Sequence, residues 1–254
     1  MNPGERHFTV HKQRGWFSGF FSFYLCLATV AATLGACAVP TIPARIIYES
    51  PTDFVRLEPD PYAFHEIATT LHSHPANIDV EEMARLLKGL SVQEHRTAVQ
   101  RWFGGEAPLE PVFRDDEIAW LAPRLSQALA TAQPDERVAF YISYPQPSIK
   151  REITSGGLYV HDGRLHFILG NYRIVYGIPA YGMVYDRRYP VAPTAAKGFN
   201  VFFNPAYAVE KHKVTWWEFL SGRKKDEVVI DLQKLPPMKT AEAAGTQAWS
   251  DATA

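Results

Sequence analysis

The chain has 254 residues, 46% hydrophobic and 21% charged, which is an ordinary globular balance with enough length for one sizeable core. Its 26 Lys and Arg against 27 Asp and Glu leave a net charge of −1, which excludes general nucleic-acid binding, since that needs a marked basic excess. Both cysteines, Cys26 and Cys37, lie in the first 37 residues, so the rest of the chain has no thiol for a disulfide framework, a thiolate zinc site or a cysteine nucleophile.

The first element is a leader. Arg6, Lys12 and Arg14 precede an uncharged apolar run from Trp16 to Ala36, which ends in small residues and then Leu34-Gly35-Ala36-Cys37. Basic, apolar, small, cysteine is the order of a secretory leader rather than of a folded domain. It resembles the bacterial lipoprotein signal, whose pattern is Leu, a small residue, Gly or Ala, then Cys. The resemblance covers residues 1–37. It implies a signal peptide over 1–36, cleavage between Ala36 and Cys37, and a diacylglycerol thioether on Cys37, with the acyl groups as the contact to the membrane. Ala38 stands where an Asp would favour retention at the inner membrane, which implies the periplasmic face of the outer membrane, with an inner-membrane anchor and periplasmic domain as the alternative. The run is also long enough to span a bilayer, which takes about 20 apolar residues, so an uncleaved anchor is a second reading. Both place the remainder outside the cytoplasm. Cleavage removes Glu5, Arg6, Lys12 and Arg14 and leaves 23 basic and 26 acidic residues, still without a basic excess.

Residues 37–50, stiffened by Pro40 and Pro43, read as a tether. Asp53 to Leu57 alternates as a short strand and ends at the Pro59-Asp60-Pro61 turn. Asn77 or Asp79 caps a helix whose apolar face is Val80, Met83, Ala84, Leu86, Leu87 and Leu90, ended by Gly89. A second helix opens at Asp115-Asp116-Glu117, acids suited to a helix N-terminus. It carries Ile118, Leu121, Leu125, Ala128 and Leu129 on one face, with a kink or break expected at Pro123.

Sheet follows: Arg137 to Tyr144, then a hairpin of Gly157–Val160 and Leu165–Leu169 around His161-Asp162-Gly163-Arg164. Asp-Gly suits a type I′ turn, and the register sets Val160 opposite Leu165 and Leu158 opposite Phe167. Tyr172 to Ile178 reads as a third strand and Glu227 to Leu232 as the last. The order predicts a single α+β domain over 51–235, a mainly antiparallel sheet with two or three helices packed on one face, preceded by the signal helix. Residues 236–254, rich in Ala and Thr, read as a disordered tail.

Candidate chemistry is sparse. Gly-x-Ser-x-Gly, His-Glu-x-x-His and Gly-Lys-Ser/Thr are absent, so no catalytic residue is assigned. His65, His72 and His74, with Glu66 nearby, form a weak metal candidate against a bland reading as turn and loop histidines. His161 and His166 are diagonal neighbours on the hairpin, where an exposed polar sheet face explains them equally well. Thr154-Ser155-Gly156-Gly157 is either a bulge or a close backbone approach to a ligand. Trp216, Trp217, Tyr181 and Tyr185 are candidate partner contacts, against a core-filling role.

The expectation is a lipid-anchored envelope protein without a cofactor, binding a protein partner rather than catalysing a reaction. The alternative is an envelope enzyme or ligand-binding protein using the His65/His72/His74 region.

Overall fold

The computed structural model of the chain describes residues 43–63, 70–147, 150–177, 185–194, 197–210 and 227–235. The leader with Ala36 and Cys37, His65, Tyr181, Trp216, Trp217 and the tail 236–254 lie outside the described residues. Tyr185 opens a single helical turn, Tyr185–Arg188, and its side chain lies outside them too.

In chain order the elements begin with β1 (Arg45–Glu49), β2 (Phe54–Pro59), α1 (Val80–Gly89), β3 (Leu90–Glu94), α2 (Ala98–Gly104) and β4 (Leu109–Pro111). There follow α3 (Asp115–Thr131), β5 (Glu136–Pro145), β6 (Lys150–His161), β7 (Arg164–Gly177), β8 (Phe199–Phe203) and β9 (Glu227–Asp231). Among the described residues two antiparallel sheets form, one ordered β1-β2-β5-β6-β7-β9 and a smaller one ordered β4-β3-β8. The described residues are thus mixed α+β with a mainly antiparallel sheet and three helices besides the turn Tyr185–Arg188.

The hairpin takes the expected register, with Val160 opposite Leu165 and Leu158 opposite Phe167. Asp162 and Gly163 both sit at positive φ, 50° and 72°, as the two central positions of a type I′ turn require. Val55, Leu57, Val138, Phe140, Leu158 and Phe167 share the sheet face that meets Met83, Leu86 and Leu87 of α1 and Leu121, Leu125 and Leu129 of α3 in one core. Each of those leucines contributes about 1.5–3 kcal/mol by leaving water. Asp79 caps α1 by accepting from the Glu82 amide at 2.7 Å. Gly89 closes α1 where a Cβ would lie 2.6 Å from the Phe203 ring.

Four expectations change. The end of the stretch read as a tether is β1, an edge strand that pairs with β2 and is clamped where Arg45 bonds the Glu136 carboxylate and the Thr131 carbonyl. The expected break at Pro123 is absent: α3 is one 17-residue helix. Leu121, Ala122 and Leu125 on either side of Pro123 are fully buried, and packing outweighs the one missing hydrogen bond. Leu165–Leu169 and Tyr172 to Gly177 are not two strands but one, β7, with a bulge at Gly170-Asn171 opposite Ser155, while Ile178 lies outside the described residues. Finally, β3, α2, β4 and β8 fall where no element was expected.

Candidate functional site

The polar face of the large sheet gathers the histidines. His74 Nε2 accepts from the Val160 amide at 3.0 Å, so Nδ1 carries the proton and donates to the Gln133 carbonyl at 3.2 Å. Both nitrogens are committed and His74 has no lone pair for an ion. Burial, reinforced by neighbouring His72, pushes its pKa down from 6.5 to about 4. His72 Nε2 donates to Asp60 Oδ2 at 3.0 Å. Burial works to raise the Asp60 carboxyl, but the bonds from His72 and the Tyr62 amide, with the Arg137 charge, outweigh it and hold it below the usual range. Arg137 also lies 3.7 Å from Glu58, which accepts from Arg56 at 2.7 Å.

The hairpin histidines do not stand on an exposed face. The His72, Tyr159 and His166 rings stack in series, 4.1 Å and then 4.6 Å between centroids, with His161 edge-on to His166 at 6.2 Å. β9 adds beyond β7 and brings Glu227 onto this face, where it accepts from Tyr159 Oη at 3.0 Å and pairs with His166 Nδ1. Burial and the Glu227 charge push the Tyr159 phenol up, so it stays protonated and donating. His161 Nδ1 meets the Leu71 carbonyl at 2.9 Å. Among the described residues no group of three or more His, Cys, Asp or Glu side chains is placed to hold a metal ion.

Thr154-Ser155-Gly156-Gly157 is a bulged stretch, and it does receive a backbone closely, but the protein's own. Ser155 Oγ donates to the Pro190 carbonyl at 2.7 Å, and Asn171 Nδ2 to Ser155 Oγ and the Ala192 carbonyl. Asn171 Oδ1 accepts from the Thr194 amide and hydroxyl at 2.8 and 2.9 Å. Gly157 and Gly170 leave room for this strap: a Cβ on Gly157 would lie 2.8 Å from Val191, and one on Gly170 2.7 Å from the Pro190 and Val191 carbonyls.

Among the described residues two open surfaces carry exposed aromatic or acidic groups. A cleft of about 390 Å³ lies between the Thr52-Asp53 turn before β2, the start of α3 and the end of β5, with Trp120, Tyr144, Asp53, Asp116, Glu117 and Ser143 on its walls. Arg114 and Arg124 guanidinium groups cover the Tyr144 and Trp120 rings at 4.2 and 4.7 Å. Glu117 is committed, accepting from the Arg114 amide at 2.6 Å, and Asp53 accepts from Thr52 Oγ1 and the Ser143 amide. Asp115-Asp116-Glu117 therefore serves the helix start, with Asp116 exposed at the cleft rim.

The second surface is α2, which buries none of its residues and holds Trp102 and Phe103 84% and 83% exposed. Sequence reading missed it, although Thr97 and Gln100 form a capping box, a signal legible in the letters Thr-x-x-Gln.

Comparison with models of known protein families, with curated proteins and with solved structures finds no match.

Proposed function

We propose that this chain is a lipid-anchored protein of the bacterial cell envelope that acts through a protein partner, as a binding or structural component rather than an enzyme. The anchor is Cys37, acylated at the new N-terminus once the signal helix over 1–36 is cleaved behind Ala36. The site is the periplasmic face of the outer membrane, with the inner membrane as the alternative.

The observation that carries this reading is the join between leader and body. Leu34-Gly35-Ala36-Cys37 closes the apolar run, and β1 opens at Arg45, eight residues beyond the cysteine. A lipid on Cys37 confines the body to a surface, where weak binding to another envelope component becomes effective. More than one acyl chain holds stably, whereas a single chain binds reversibly.

A binding role is supported by the fate of the polar side chains. His74, Asp60, Ser155 and Asn171 are spent on the protein's own groups. The cleft offers a partner two aromatic walls and the exposed Asp116. For the rival enzyme built on the His65/His72/His74 region, both His74 nitrogens and His72 Nε2 are already bonded within the protein, and His72 Nδ1 is buried without a partner.

Metabolic labelling with a palmitate analogue, for wild type and Cys37→Ser, tests the reading. Label in the wild type, lost in the variant, with the wild type in the membrane pellet, is the expected result. An unlabelled wild type in the soluble fraction contradicts it.

A further inference from the structure

The segment from β3 to β4 is a hairpin with α2 at its tip, since Gln93 near the end of β3 pairs with Leu109 at the start of β4. Val99, Trp102 and Phe103, spaced i, i+3 and i+4, share one side of α2 and are 65%, 84% and 83% exposed. Leu109 at the base is 59% exposed.

The tip is held in shape without being covered. Thr97 and Gln100 cap its start, and the Gly105 amide bonds Arg101 at its end. Gly105 sits at φ 68° and ψ −168°, a conformation that glycine alone adopts without strain. Arg96 Nη1 donates to the Gly104 and Gly105 carbonyls at 2.8 and 3.1 Å. The tip is braced, and its apolar side chains are exposed.

We propose that the α2 tip is a second membrane contact, inserting Trp102 and Phe103 into the lipid interface beside the acyl anchor. The proposal rests on the lipid-anchor reading. Arg45 lies eight residues beyond Cys37, and eight steps at about 3.3–3.6 Å each reach less than roughly 30 Å. The body is thereby kept within one domain diameter of the bilayer. Trp102 with Phe103 beside it is the aromatic chemistry that the lipid interface accepts; Arg96 and Arg101 precede the pair in the chain, the first bonding the Gly104 and Gly105 carbonyls and the second lying 3.7 Å from Glu106. The patch is small for a protein: Trp102 and Phe103 present on the order of 300 Å² of ring surface, well short of the roughly 800 Å² per side of a standard interface. Shallow insertion asks for no more than that. Two contacts fix the orientation of the body where one anchor leaves it free to swivel.

The test uses the full chain in vesicles of phosphatidylethanolamine and phosphatidylglycerol, with an environment-sensitive fluorophore on Phe103→Cys and, separately, on Trp102→Cys. Gln127→Cys, on the exposed side of α3, is the reference position. Palmitate labelling of the same samples reports the anchor independently. The expected result is blue-shifted emission at 103 and 102, quenched by lipids carrying a quencher on the acyl chain, with neither effect at 127. Water-like emission at 103 and 102 in a labelled, membrane-bound protein overturns the proposal and leaves the anchor standing. A blue shift that lipid quenchers do not touch also overturns it, since a protein partner or a second copy then covers the tip. Loss of palmitate labelling together with loss of vesicle binding overturns both.

Discussion

His74 is neutral in the native chain because burial, and then the field of His72, disfavour its charged form. An unfolded chain protonates this ring near 6.5 and the native chain near 4, so between those values the unfolded state binds the extra proton. Stability therefore falls as pH drops through that window, by roughly 1 kcal/mol per pH unit from this ring alone. Urea midpoints measured from pH 7 to pH 5 should fall less steeply for His74→Gln than for wild type; equal slopes would remove His74 from the account. Asp60 acts in a different window. Its lowered pKa contributes stability that is lost only as pH falls below its ordinary 3.8. Asn171, fully buried, ties the 190–194 strap to the sheet through Ser155 and Thr194. Asn171→Ala removes these bonds, while Ser155 keeps the Pro190 carbonyl and Thr194 is exposed to water, and is expected to cost about 1–2 kcal/mol in urea unfolding. A loss below about 0.5 kcal/mol would mean that water replaces the bonds.

At the scale of elements, local signals decided what could be read. The hairpin was legible because Asp162-Gly163 sets the turn and the apolar alternation sets the register, all within a dozen residues. Gly163→Ala, at φ 72°, is expected to lose about 1–2 kcal/mol, checked by thermal melting. The small sheet was not legible. Its strands are three to five residues long, and Val92 finds Val201 across more than a hundred residues of chain. The polar cluster was hidden for the same reason, since Asp60, His72, Tyr159 and Glu227 meet only after the large sheet has closed. Pro123 misled because a single missing bond is a weak signal beside a row of buried leucines. The capping box of α2 makes a separable prediction. Thr97→Ala removes a cap worth about 1 kcal/mol, from a helix that buries nothing. Amide exchange should quicken in residues 98–105 while the melting temperature of the whole chain stays put. A global loss would show that α2 is coupled to the core.

At the scale of the whole molecule, the described residues join the large sheet to α1 and α3 in one core, gather the histidines in a polar cluster, and leave Trp102 and Phe103 of α2 exposed. No helix among the described residues is long and apolar enough to cross a membrane. Attachment is proposed at Cys37, where lipid replaces the leader. The most direct test is the intact mass of the protein purified from the membrane fraction, with sequencing of its N-terminal peptide. The expected chain begins at Cys37 and is heavier than residues 37–254 by a diacylglycerol group and an N-linked acyl chain. A chain retaining residues 1–36, or one shortened but carrying no lipid, would contradict it.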